Sequence, residues 1–300
     1  MSAQSEHTVY IDSVLTQNNL RSDYIELKSK QLIADKYNVS LWTIQDRMKR
    51  FNIDNISRKI YSCDEDMFSR ETEKSFYLAG FIAADGCISI TKGNRQNALS
   101  IFLSEKDEDH LLMMKDLFRF DGKIHSSIIK NSKRNPIWKD SVNKGFTISS
   151  NKICNDLEKF NIVPRKTYSY SFPEWLRTHQ LVNHFMRGYV DGDGCIRIAN
   201  HYKSGILVLS VVSYRKEFLE TFKAVIENQC NMKWNNNIGV NKNHFTLTYS
   251  GNRQVLTVAD FLYKEATIYL PRKYEPILTQ RKVVATLDAT KVEETNVGRQ

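Results

Sequence analysis

The order of apolar and polar positions divides the chain into helical and extended stretches. Residues 1–28 are polar without a clear period and read as a flexible N-terminus. Over 29–59 a helical period begins, with Leu32, Ile33, Tyr37 and Val39 on one face and Ala34 where two crossing helices need a small residue. Ser40 then stands as an N-cap before the run Leu41 to Phe51. Residues 60–73 read as a linker. Two short apolar runs, Leu78 to Ala84 and Met186 to Gly192, predict buried helices. After Gly86 the pattern alternates: Ile88 and Ile90 are expected to face the core, with Cys87, Ser89 and Thr91 opposite. After Gly194 it alternates again, placing Ile196 and Ile198 inward and Cys195, Arg197, Ala199 and His201 outward. Leu99, Ile101 and Leu103 alternate with Ser100, Phe102 and Ser104. Helices are expected over about 106–118 and 215–229, with Leu111, Leu112, Met114, Leu117 and Phe118, and Phe218, Leu219, Phe222, Val225 and Ile226, as core stripes. Hairpins (123–129 with 145–149, 234–240 with 244–249) and closing helices (151–160, 252–265) complete the pattern.

The two apolar runs are copies. Asp85 and Asp193 are 108 residues apart (193 − 85), and the same offset carries Gly80 to Gly188, Gly86 to Gly194, Cys87 to Cys195 and Ile88 to Ile196. Pro164-Arg165-Lys166 recurs as Pro271-Arg272-Lys273. A doubled module in one chain is a pseudo-dimer. Within each run two small residues lie four apart, Gly80 with Ala84 and Gly188 with Gly192. Each pair shares one helix face, so the two bare faces are expected to pack on each other. Each run ends Asp-Gly, which places Asp85 and Asp193 at the negative end of a helix dipole and close together. Like charges raise each other's pKa, so such a pair calls for a compensating cation of the hard, oxygen-seeking type, Mg²⁺ or Ca²⁺.

Composition narrows the partner. The 300 residues carry a formal net charge of +9 and are 41% hydrophobic, which favours an anionic partner, nucleic acid before membrane, and permits real cores. No apolar run approaches a membrane span, and the N-terminus lacks a secretory pattern, so no membrane association and no secretion are expected. Five cysteines without a C-x-x-C pair point to a reducing, intracellular setting. The histidines show no metal-ligand spacing, and no Ser-His-Asp or Cys-His constellation is convincingly spaced.

These residues resemble the LAGLIDADG homing endonuclease family in its single-chain, two-motif form, over roughly residues 74–280. The resemblance implies an α+β fold of tandem αββαββα repeats related by a pseudo-twofold, 74–180 and 181–282, with an antiparallel β-saddle lying on double-stranded DNA. It adds a monomer that cleaves both strands with two or three Mg²⁺ ions, with Mn²⁺ able to substitute and Ca²⁺ binding without supporting cleavage. A bacterial or phage-infected cytoplasm, or an organelle, is the implied setting. Asp85 and Asp193 would be the catalytic and metal-binding acids, with the backbone at Ala84 and Gly192 beside them, and Lys166 and Lys273 match the family's active-site basic residue. Proline ahead of each lysine fixes its approach. The outward face, Ser89, Thr91, Ser100, Phe102, Ser104, Arg197 and His201, would read the major groove, Arg197 being the best candidate for a guanine contact. Lys130, Lys133 and Arg134 stand in a cationic loop that reads either as phosphate contact or as solvated surface.

The N-terminal segment resembles a helix-turn-helix that would present Thr43, Gln45, Asp46, Arg47 and Lys49 to a major groove; the alternative is an ordinary helical hairpin. Two departures from the family pattern stand out. Ala83 replaces the first acid that the second motif keeps as Asp191, and Arg187 replaces a small residue and is expected to reach out of the helix interface. The runner-up functions are an intron RNA maturase and a transcription regulator on the same scaffold. An intein is disfavoured, and residues 283–300 read as a polar tail.

Overall fold

A computed structural model describes residues 11–27, 29–53, 61–90, 96–133, 137, 139–199 and 205–297. The chain forms two compact units, residues 1–60 and 61–300. The first contains α1 (Gln17–Leu27), α2 (Lys30–Lys36) and α3 (Leu41–Arg50). Ser29 and Ser40 cap the last two, accepting the N–H groups of Leu32 and Thr43. Asn38, at φ 51°, turns the chain between them. Leu15, Leu20 and Tyr24 are buried with Ile33, Ala34, Ile44, Met48 and Ile53. The expectation of a flexible segment over 1–28 is therefore corrected for 17–27. Two buried apolar residues, Leu20 and Tyr24, anchor a helix whose other positions are mostly polar, and buried Asp23 is paired with Lys36 at 2.7 Å.

The second unit begins at Tyr61, inside the expected 60–73 linker. Met67 and Phe68 are buried, and the Phe68 ring meets Phe118 and Phe160 edge-on. Ser62 donates to the Asp121 carboxylate from both N–H and hydroxyl, at 2.6 and 2.8 Å. Two apolar residues in a polar stretch are enough to seal one end of the core, and a linker reading misses that.

The first repeat runs α4 (Glu73–Asp85), β1 (Gly86–Ser89), β2 (Ala98–Ser104), α5 (Glu108–Leu117), β3 (His125–Ile129), β4 (Ser141–Ser149) and α6 (Asn151–Glu158). The second runs α7 (Val182–Asp193), β5 (Gly194–Ala199), β6 (Ile206–Ser213), α8 (Lys216–Gln229), β7 (Ile238–Val240), β8 (Phe245–Ser250) and α9 (Asn252–Leu262). Each repeat forms a four-stranded antiparallel sheet, of order β1-β2-β4-β3 and β5-β6-β8-β7. The registers correspond: Cys87 lies opposite Ser100, and Cys195 opposite Ser210. This is the α+β, doubled architecture expected. One core runs through both repeats, with Phe160 stacked on Phe185 at 5.9 Å across the divide.

Several finer expectations give way. β1 stops at Ser89, so Ile90 leaves the alternation and is 68% exposed. β5 continues to Ala199, which is buried and not outward. Leu112 lies on the solvent side of α5. The expected polar tail over 283–300 is, as far as Val297, the continuation of α10 (Pro271–Val297). No helix among the described residues is long and apolar enough to cross a membrane.

Candidate active site

α4 and α7 cross where their side chains vanish. A Cβ on Gly80 would stand 1.9 Å from the Phe185 carbonyl oxygen, and one on Gly188 2.0 Å from that of Tyr77. Backbone cannot yield to such contacts, so only glycine fits at either place. One turn later a Cβ on Gly192 would fall 2.4 Å from Ala84 Cβ and 3.4 Å from Asp85 Oδ2. The seam residues Gly80, Ala84, Gly188 and Gly192 thus set how closely the two helix ends approach.

Asp85 and Asp193 are the last residues of those helices. Asp85 opens to solvent on one side and Asp193 is half-buried, while protein crowds the remaining sides of both. Loss of hydration raises both carboxyls above their ordinary range, and Asp193 is pushed up to about 6 with the Asp85 charge adding to the effect. Lys273 and Lys166 pull in the other direction on both acids. The four groups therefore form one electrostatic cluster with contributions from both repeats.

The two lysines reach this cluster differently. Lys166 is buried in a short 3₁₀ turn entered through Arg165 at φ 60°, and its Nζ donates to the Gly86 carbonyl at 2.9 Å. Lys273, buried in the first turn of α10, donates to the carbonyls of Val190 (2.9 Å), Asp191 and Gly192 (2.8 Å). These are carbonyls at the end of α7, where a cation also complements the helix dipole. Burial lowers the pKa of both lysines. Arg272 grips Asp107 of the first repeat through two hydrogen bonds of 2.7 and 2.8 Å, which hold that carboxyl below its usual range. Arg165, its counterpart, is exposed.

The departures from the motif are structural devices. Asp191 is fully buried, and its Oδ2 accepts from the Leu270 N–H at 2.7 Å and the Tyr77 hydroxyl at 2.8 Å. Burial pushes this carboxyl up to about 6. It anchors the chain immediately before Pro271-Arg272-Lys273. Ala83, in the same place of the first repeat, is simply buried. Arg187 does not reach out of the helix interface, as the sequence suggested; it is completely buried. Its guanidinium donates to the Ile268 and Leu262 carbonyls (2.9 and 3.0 Å) and to Glu73 of α4 (2.7 Å), and lies 2.8 Å from His184 Nδ1. Glu73 also accepts from the Thr267 N–H at 2.6 Å. A large polar side chain fits because each of its three nitrogens finds an acceptor.

Sequence reasoning missed Asp107, Glu73 and the Tyr77–His110 hydrogen bond (2.8 Å), since no spacing rule links residue 73 to 187 or 107 to 272. The residues expected to meet DNA lie on several surfaces. Ser89, Ser104 and Arg197 are exposed, and Ser100 shares a hydroxyl hydrogen bond with Thr147 at 2.9 Å. The Phe102 ring lies over Gly145, where a Cβ would come within 2.4 Å of it. Lys130 and Lys133 are exposed near the turn after β3. Thr91, Arg134 and His201 lie outside the described residues. In the first unit Gln45 and Lys49 are exposed, Thr43 is half-buried, and half-buried Arg47 is paired with Asp12. Among the described residues no group of three or more His, Cys, Asp and Glu side chains could hold a metal by itself. The available donor set is two carboxylates with nearby carbonyls, all hard oxygens, which suits Mg²⁺ or Ca²⁺.

A LAGLIDADG endonuclease model matches residues 78–175, and a LAGLIDADG-like domain model matches residues 180–259. The chain belongs to the LAGLIDADG endonuclease family. Among solved structures, that of the homing endonuclease I-WcaI bound to its DNA recognition sequence is similar in fold, with TM-score 0.53, 14% identity, and coverage of 71% of this chain and 91% of that one. The LAGLIDADG meganuclease I-AabMI bound to uncleaved DNA gives TM-score 0.45 and 18% identity over 73% and 91% of the two chains. None of the curated proteins matches the chain. The LAGLIDADG matches span both repeats and leave the N-terminal helical unit outside them.

Proposed function

We propose that this LAGLIDADG protein is a site-specific endonuclease that hydrolyses one phosphodiester on each strand of double-stranded DNA, acting as a monomer whose two repeats stand in for a dimer. The observation that carries the reading is that Asp85 and Asp193, one from each repeat, end two helices packed along a glycine seam, with a buried lysine at each helix end. Asp85, Asp193 and adjacent carbonyls would hold Mg²⁺ ions. Such ions, when bound, activate water and stabilise the leaving oxygen. The carboxyls bind them in the ionised form, so the raised pKa of Asp193 makes loading weaken as pH falls toward about 6. Lys166 and Lys273 add positive charge beside the scissile groups and favour the charged transition state. Arg197, Ser89, Ser100, Phe102 and Ser104 would meet the bases, and Lys130 and Lys133 the phosphates.

The helical unit supports an added DNA contact. α2, a four-residue turn and α3 have helix-turn-helix spacing, and α3 leaves Gln45 and Lys49 free to enter a major groove. An RNA-binding maturase is the weaker reading, since both acids and both lysines of a cleavage centre are present. The test is a library of randomised DNA duplexes incubated with the protein and Mg²⁺, followed by sequencing of the ends. One long, asymmetric recovered site is expected; an uncut library with Mg²⁺ and with Mn²⁺ overturns the nuclease reading.

A further inference from the structure

Most of the polar side chains that α3 would offer to DNA are already engaged within the helical unit. The Thr43 hydroxyl shares a hydrogen bond of 2.9 Å with that of Ser40, the helix cap. Arg47 is paired with Asp12, and Asp46 with Arg50 at 2.8 Å. Gln45 and Lys49 stay exposed. They share their face with a residue of another kind. Ile44 and Met48 bury the opposite side of α3, and the helical period turns Trp42 away from them, with Gln45 and Lys49 following it at three and seven residues. Trp42 is 70% exposed, and Leu41 beside it is 37% exposed. The core of the unit closes on other residues, so this large apolar ring adds nothing to it.

Both apolar residues stand in the first turn of α3, the end that a recognition helix points at base edges. On those edges in the major groove the apolar group is the thymine methyl, while a glutamine amide matches N6 and N7 of adenine and an ammonium meets phosphate. Charge selects a duplex as the partner. The last turn of α3 holds Arg47, Lys49 and Arg50, and the one carboxylate of the helix, Asp46, is already held by Arg50. An apolar protein groove would leave Lys49 facing no anion, whereas a duplex supplies both the methyl and the phosphate.

We propose that Trp42 is a specificity-determining residue whose indole packs on a thymine methyl within the DNA site, with Gln45 on a neighbouring adenine and Lys49 on an adjoining phosphate. This rests on the helix-turn-helix reading above and names the bases that it selects.

The test uses the full chain and selects duplexes from a randomised library by binding in Ca²⁺, so that recovery does not depend on cutting. The wild type is expected to enrich a thymine that Trp42→Ala no longer enriches, while Trp42→Phe, which keeps an aromatic ring, retains it. Replacing that thymine by deoxyuridine removes only the methyl. It should weaken wild-type binding about fourfold and leave Trp42→Ala, itself about tenfold weaker on the thymine duplex, unaffected. Lys49→Ala should weaken all duplexes alike and lower the salt dependence of binding by about one counterion. An unchanged selection by Trp42→Ala, or an equal loss on deoxyuridine for both proteins, overturns the role of Trp42. If Lys49→Ala still weakens binding in that case, the helix-turn-helix reading stands without it; if Lys49→Ala also has no effect, both fall. A Trp42→Ala chain that loses helix in its circular dichroism spectrum, or loses a self-association that the wild type shows in sedimentation, places the indole against protein and overturns the proposal as well. Cleavage of the selected duplex in Mg²⁺ is scored separately and bears only on the nuclease reading.

Discussion

At the scale of single residues, the acids at the helix ends make a claim that unfolding measurements can check. Asp193 has a folded pKa of about 6, against about 4 for an unfolded aspartate. The folded chain therefore holds the extra proton over the window from about 6 down to about 4, and this group's contribution to stability rises as pH falls through it. Buried His110 and His184, both held down at about 4 chiefly by burial, work in the opposite direction. The quantity to read is thus the difference between wild type and Asp193→Asn in metal-free buffer. At pH 7 the substitution should stabilise, and by pH 5 that advantage should shrink; an advantage that grows on acidification would contradict the assigned environment. The same variant, and Asp85→Asn, should lose double-strand cleavage in Mg²⁺ and keep duplex affinity, as measured by gel shift in Ca²⁺.

At the scale of elements, the helix crossing and the clasp beneath it carry separate loads. Gly188→Ala forces a methyl onto the Tyr77 carbonyl and should cost at least about 1–3 kcal/mol in urea unfolding. Arg187→Leu leaves Glu73 without its cation and two carbonyls without a donor, a loss of about 3–5 kcal/mol. Recovery of stability in Arg187→Leu combined with Glu73→Leu would identify the unpaired charge as the cause. How far the sequence disclosed these elements follows from the range of the forces involved. Gly80 and Gly188 were legible because a four-residue spacing fixes one face of a helix, and the strand faces at Leu99, Ile101 and Leu103 because alternation does the same. The helix at 17–27 and the packed segment after Tyr61 were not, since each rests on a few apolar anchors in a polar run. Arg187 was misread for a different reason: its acceptors come from residues 73, 262 and 268, and local pattern carries no information about distant partners.

At the scale of the whole molecule, the division at residues 60 and 61 separates two claims that can fail independently. A chain of residues 61–300 keeps the whole shared core and both acids. It should fold, cut the recovered duplex and protect a shorter stretch of it from nuclease digestion than the full chain does. An unchanged footprint would remove the helical unit from DNA binding. For a protein of net charge +9, duplex affinity should also fall linearly on logarithmic axes as salt rises, and more steeply for the full chain than for 61–300 if the helical unit adds phosphate contacts.

The clasp between Glu73 and Arg187 bears on how new specificities could be assembled from this scaffold. If one half of this chain were grafted onto half of a relative, the glycine seam alone would suggest that any two halves can be joined. Here the first half contributes an anion and the second the cation that neutralises it, together with the carbonyls that complete its shell. A graft that exchanged only residues 181–282 for a half with a small residue in place of Arg187 would strand a carboxylate in the join, so compatible halves must be chosen as charge-matched pairs.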